Sequence, residues 1–195
     1  MNLENANYSK NEKNLRIPAT VRIGVTGHRK LADEQLLRNR VQKVLSSVDK
    51  ILSHTPHTFA VISPLAEGAD RLVAEEVLDH PPSGDMEKPY LEAVLPLPES
   101  DYIRDFETLE SKDEFKAFLA KARSIRTLEK LEPRAASYEQ GGHYVVDNCD
   151  VLIAIWNGKA AAGQGGTAEI VEYARNLGKH IFWINSENGK IIEEK

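Results

Sequence analysis

The stretch VLIAIWNGKAAAGQGGTAEIVEYARNLGKHIFWI, residues 151 to 184, decides the fold. Its first six residues are apolar throughout, as a strand covered on both faces must be. HIFWI, 180 to 184, repeats that character after a helical stretch. Two such strands with a helix between them belong in the centre of a parallel sheet, because a parallel neighbour is reached only through a crossover.

Working outward, the alternation continues. VRIGVT (21 to 26) is a β-rich run ended by Gly27, and the helix after it opens at Asp33. That helix places Leu37, Val41, Val44, Val48 and Ile51 on one stripe. FAVIS (59 to 63) is a second strand ended by Pro64; the turn LAEGAD leads to a helix carrying Leu72, Val73 and Val77. LEAVLPL (91 to 97) is a third strand. Between 98 and 135 the chain is more charged, and Ser111 with Glu114 forms a capping-box pattern ahead of Phe115, Phe118 and Leu119. A short strand is placed near Ile125 to Leu128. A helix from Ala135 to Asn148 contains Gly141 and Gly142, each costing about 1 kcal/mol relative to alanine. Either a backbone packed close to a neighbouring helix or ligand compensates, or two shorter helices meet there.

The order β, α, β, α, β, α, α, β, α, β predicts an α/β, Rossmann-like three-layer sandwich with a mostly parallel central sheet. A single domain is expected over residues 19–185, between an N-terminal tail at 1–18 and a C-terminal tail at 186–195. The chain of 195 residues suits one hydrophobic core. With 41% hydrophobic and 28% charged residues, and no apolar run near the roughly 18 residues of a membrane span, it reads as a water-soluble protein without a membrane partner. MNLENANYSKNEKN at the start has no apolar core of a signal peptide, and Cys149 is the only cysteine; both point to a cytoplasmic setting. A net charge of −5 with scattered basic residues disfavours nucleic acid as the main partner. The six histidines show no zinc-binding spacing, so neither a metal nor another cofactor is expected.

In an open parallel sheet, ligands bind beyond the carboxyl ends of the strands. The unusual residues gather on that edge: Gly27, His28 and Arg29 after the first strand, SPLAEGADR (63 to 71) after the second, LPLPESD (95 to 101) after the third, and Asn157 with the glycine run after VLIAIW. Gly163, Gly165 and Gly166 lack a Cβ, so backbone N–H groups there can approach an anion, and the helix starting near Thr167 adds a partial positive charge. The run is neither a Walker pattern nor GxGxxG. A loop with an ordinary cap is the other reading, in which Glu169 at the third helical position contributes about 0.3 to 1 kcal/mol. Arg29 and Arg71 can each fork onto a phosphate or remain solvated charges. His28 suits a ligand or a turn, and Trp156 a base or the core.

These segments together resemble the SLOG superfamily, Rossmann-like domains related to the LOG phosphoribohydrolases, the DNA-processing protein DprA and the ligand-sensing domains of TRPM channels. The similarity runs from about Val21 to Asn185 and rests on VRIGVTGHRKL, SPLAEGADRLVAEEVL and the block from Gly141 to Ile184. It implies a pocket for a nucleotide or nucleotide-derived ligand, with Gly165, Gly166 and Thr167 matching the phosphate-binding Gly-Gly-Thr segment, and it implies a homodimer. LOG enzymes carry a glutamate three residues after the threonine. Here that place holds Ile170, and Glu169 stands one residue earlier, a rotation of about 100° on a helix.

Two functions follow as expectations. The first is a sensory or signalling module that binds a nucleotide derivative through Gly27, His28, Arg29, Glu67, Gly68, Asp70, Arg71, Asn157, Gly165, Gly166 and Thr167. The second is a nucleoside monophosphate phosphoribohydrolase or related N-glycosidase, with Glu169, or else Glu67, as the carboxylate that stabilises an oxocarbenium-like centre or acts as nucleophile or base.

Overall fold

The computed structural model describes residues 19–159 and 166–195. In chain order the elements are β1 (Ala19–Gly27), α1 (Glu34–Ile51), β2 (His57–Ser63), α2 (Ala69–Leu78), β3 (Tyr90–Leu95) and α3 (Glu99–Tyr102), which runs into a 3-10 turn. There follow α4 (Leu109–Lys121), β4 (Ser124–Thr127), α5 (Arg134–Asn148), β5 (Val151–Trp156), α6 (Thr167–Asn176), β6 (His180–Asn185) and β7 (Ile191–Glu194). The sheet order is β4-β3-β2-β1-β5-β6-β7; every pairing is parallel except that of β6 with β7. The protein is therefore α/β and Rossmann-like, with a mixed, mostly parallel seven-stranded sheet.

Alternation along the strands divides the core into two layers. On β5, Ile153 and Ile155 join a cluster with Leu37 and Val41 of α1 and Val73 of α2. Leu152, Ala154 and Trp156 face the other way, into a cluster with Val145 of α5 and Ile170 and Val171 of α6. All six β5 residues are buried, which is why the strand reads as continuously apolar. Among the described residues no helix is long and apolar enough to cross a membrane.

Asp33 caps α1, its carboxylate accepting from the Leu36 amide at 2.9 Å. Leu37, Val41, Val44 and Val48 are buried as expected, but Ile51 is 59% exposed and Leu45 is buried in its stead. The cause is helical drift: a seven-residue spacing slips about 20° per heptad on a straight helix, and two heptads carry Ile51 off the packed face.

The capping box expected at Ser111 and Glu114 is not formed. Thr108 caps α4, its hydroxyl accepting from the Ser111 amide at 3.1 Å, so Ser111 lies within the first turn. The Ile125 to Leu128 strand is β4, an edge strand with all four residues exposed. Through Gly141 and Gly142, α5 is unbroken. A Cβ at Gly142 would lie 2.4 Å from Cδ1 of Ile170, and one at Gly141 would lie 3.2 Å from Cβ of Pro96. Close approach to α6 and to the loop after β3 is what the two glycines permit. Residues 186–195, expected as a tail, contain β7. Its turn is held by the Asn185 side chain, which accepts from the Glu187 and Asn188 amides, and by Gly189 at φ 68°. Four residues, IIEE, are too short to signal a strand by alternation.

Candidate functional site

The chain runs outward from β1 through β2 and β3 to β4, then crosses back to lay β5 against the other side of β1. Helices leaving β1 and β5 therefore diverge onto opposite faces, and a crevice opens between them at the carboxyl edge. A cleft of about 180 Å³ occupies this place. The end of β1 supplies Val25, Thr26 and Gly27, with Arg29 beyond it. Pro64 and Ala66 enter from the loop after β2, Pro96 from the loop after β3, and Asp70 and Tyr102 from α2 and α3. The opposite wall is Tyr138, Gly141 and Gly142 of α5 with Thr167 and Ile170 of α6.

Two glycines let this assembly close. A Cβ at Gly27 would stand 2.4 Å from the Cβ of Ala69 and 2.5 Å from the carbonyl oxygen of Ile155. Gly68, at φ 76°, precedes α2, and a Cβ there would meet the Arg29 carbonyl at 2.3 Å. The turn after β1 is thus pressed onto the start of α2. His28 fastens it through its backbone: its N–H donates to Ile155 O at 2.9 Å and its carbonyl accepts from the Ala69 amide at 3.0 Å. The imidazole of His28 is not part of the cleft wall.

Asp70 is 6% exposed. Its Oδ2 accepts from the Ala66 amide at 3.1 Å, and among the described residues its carboxylate has no ion-pair partner. Burial pushes its pKa up to about 7, with the Ala66 hydrogen bond and the charges of Arg29 and Arg71 acting against that rise. Tyr102 is 1% exposed, its ring packed edge-on against Phe106 and Phe115, and burial raises its phenol well above the usual range. Tyr138 has its hydroxyl engaged: it donates to Asp105 and accepts from Arg134 Nε at 2.6 Å. Burial and Asp105 push that phenol up to about 12.

The two arginines read from the strand ends have different fates. Arg29 is exposed at the rim, its guanidinium 6.0 Å from the centre of the Tyr138 ring and without an ion pair among the described residues. Arg71 is 4% exposed and turned away from the cleft wall. Its Nε donates to Leu65 O at 3.1 Å, one terminal nitrogen donates to Ser111 Oγ at 2.9 Å and Glu114 at 2.6 Å, and the guanidinium lies 4.6 Å from the Phe106 ring centre. Glu67 joins this network by accepting from the Ser111 hydroxyl.

Asn157 turns its side chain onto its own loop, accepting from the Lys159 amide at 3.1 Å, and is not in the cleft wall. Trp156 is a core residue, 6% exposed and tilted against Trp183. Gly166 is the N-cap of α6 and Thr167 its first residue; no side chain caps this helix among the described residues. Gly163 and Gly165 lie outside the described residues. Glu169 is exposed on the first turn of α6 and is not among the residues lining the cleft.

The fold thus gathers Gly27, Arg29, Asp70 and Thr167 around one cleft, and sets Arg71 and Glu67 behind it. Tyr102 and Tyr138 of the wall were not found by sequence reading: Tyr102 ends the short α3 just beyond β3, and Tyr138 is brought to this edge only by the crossover that carries α5 from β4 to β5. The adjacent glycines of α5 were the available signal.

No protein-family model and no curated protein matches the chain. Fold and site define it as a Rossmann-like α/β protein with a cleft where its strand order reverses.

Proposed function

We propose that this cleft binds a nucleotide or nucleotide-derived ligand, and that the protein serves as a sensory or signalling module of the SLOG kind. One observation carries the reading: the N-terminus of α6 and the guanidinium of Arg29, neither of which has a side-chain cap or ion pair among the described residues, stand on the same cleft at the strand-order reversal. Backbone N–H groups at a helix start and a guanidinium fork are complementary to phosphate. In this reading Arg29 takes the phosphate, and Arg71 braces the loop between β2 and α2 whose Ala66 amide holds Asp70. Titration of the protein with mono-, di- and cyclic nucleotides by calorimetry tests it. Arg29→Ala is expected to weaken the bound nucleotide at least tenfold, the scale of a charge-assisted hydrogen bond. Equal affinity in wild type and Arg29→Ala would remove Arg29 from the site.

A second reading, cleavage of an N-glycosidic bond, is favoured by one feature: a carboxyl group in the cleft that titrates near neutral pH, as a general acid requires. That carboxyl belongs to Asp70, not to Glu169. Chromatography of nucleoside monophosphates incubated with the protein decides the matter. On this reading free base is released, release is lost in Asp70→Asn, and it persists in Glu169→Gln.

A further inference from the structure

The cleft offers two polar groups that the protein leaves unanswered. Both side chains are more than nine-tenths buried, yet one carboxylate oxygen of Asp70 and the hydroxyl of Tyr102 make no hydrogen bond to another described residue. Neither atom is among the fully enclosed polar atoms that lack a partner, so both open onto the cleft, where the hydroxyls of a ligand can answer them. An ionised carboxylate accepts only, whereas a phenol both donates and accepts. Together they repel an anion and suit neighbouring hydroxyl groups.

The aromatic rings of the cleft do not suit a base. Tyr102 is packed against Phe106 and Phe115, and guanidinium groups of Arg29 and Arg134 lie about the Tyr138 ring at 6.0 and 5.7 Å. A volume of about 180 Å³ is also below the roughly 300 Å³ at which sites begin to engulf a whole drug-sized ligand. It fits one end of such a molecule.

We propose that Asp70 and Tyr102 form a specificity-determining floor that selects a ligand end bearing vicinal hydroxyls, such as the 2′,3′-diol of ribose, and excludes deoxy analogues. This rests on the nucleotide reading above. One hydroxyl donates to the free Asp70 oxygen, and its neighbour exchanges a hydrogen bond with the Tyr102 phenol. The base stays at the mouth and contributes little selectivity.

The floor requires Asp70 ionised. The charged and titratable groups facing it are Arg29 from the turn after β1, Arg71 from its own helix and Tyr102 from α3. Asp105 and Tyr138 lie close to Tyr102, the Tyr138 ring centre 6.4 Å away. None forms an ion pair with Asp70, so burial dominates and the carboxyl is partly protonated at neutral pH. Binding of a diol then expels a proton below about pH 7.

Calorimetry with the four common ribonucleoside 5′-monophosphates, their 2′-deoxy counterparts and ribose 5-phosphate tests this on wild type, Asp70→Asn and Tyr102→Phe. In wild type the ribo form is expected to bind at least tenfold more tightly than the deoxy form, with similar factors for all four bases. Tyr102→Phe, which keeps the packed ring, and Asp70→Asn are each expected to reduce that ratio severalfold while retaining deoxy binding. Proton release at pH 6, measured in two buffers of different ionisation enthalpy, is expected to be larger in wild type than in Asp70→Asn. Ribo and deoxy forms binding equally to wild type, or a ratio unchanged in both variants, overturns the diol floor and leaves the nucleotide site standing. Silence of every probe, ribose 5-phosphate included, overturns both.

Discussion

Asp70 sits where a carboxylate is least favoured, and its discomfort has a sign that can be measured. Its pKa rises from 3.8 to about 7 on folding. Between about pH 4 and pH 7 the native state therefore holds a proton that the unfolded chain has released, so this group's contribution to stability falls as pH rises through that window and levels off above it. A displacement of that size corresponds to roughly 4 kcal/mol. Asp70→Asn, which keeps the acceptor for the Ala66 amide, is expected to match wild type near pH 4 and to exceed it by a few kcal/mol at pH 8, read from urea midpoints at both pH values. A constant difference between the two proteins would show that the carboxyl is ordinary. At this scale sequence reading was uneven. A residue's place at a strand end tells which edge of the sheet it occupies but not which way its side chain turns. Arg29 and Arg71 looked equivalent, and only Ser111 and Glu114, some forty residues downstream, make Arg71 an internal strut. Gly142 was legible as a constrained position, because a helical glycine pair is costly unless something is packed against it.

Among the elements, α4 shows how a sequence motif can hold in letters and fail in space. Ser111 and Glu114 have the three-residue spacing of a capping box, but the same spacing inside a helix places two side chains on one face. Here that face meets Arg71. The true cap, Thr108, lies three residues earlier. Thr108→Ala is expected to cost about 1 kcal/mol by denaturant titration, the usual value of a lost hydroxyl cap. Ser111→Ala should leave the helix start intact, by amide exchange of its first turn, while releasing the hydrogen bonds to Arg71 and Glu67. Faster exchange at the start of α4 in Ser111→Ala would restore Ser111 as the cap. Helix α1 teaches a related lesson: its stripe was read with a seven-residue period, and drift over two heptads exchanged Ile51 for Leu45 on the buried face.

For the whole molecule, the strongest signals were the longest buried strands. β1, β2 and β5 lie at the middle of the sheet; β5 is apolar throughout and β2 wholly buried, and the apolar runs of all three gave the α/β class. Their carboxyl ends gave Gly27, Arg29, Asp70 and Thr167 as cleft residues. The contribution of α5 was hidden because it depends on the crossover between β4 and β5, which no local pattern encodes, whereas Tyr102 of α3 directly follows the third-strand edge segment LPLPESD. β4 and β7, four residues each at the two edges, carry too few alternations to read with the same clarity. Native-state hydrogen exchange should reproduce this gradation. Amides of Val25 and Ile153 are expected to exchange through global unfolding, and those of β4 orders of magnitude faster through local opening. Uniform protection across all seven strands would mean that the sheet opens as one unit.

The reversal at the last strand has a practical outcome. β6 heads toward the cleft and β7 returns, pairing Glu194 with Ile181, so Lys195 emerges on the same side as Ala19, where β1 begins. The cleft opens at the opposite pole. Surface attachment or a reporter fused after Lys195 therefore leaves the mouth facing bulk solvent, and the access of solutes to the cleft should be the same for immobilised protein as for protein in suspension.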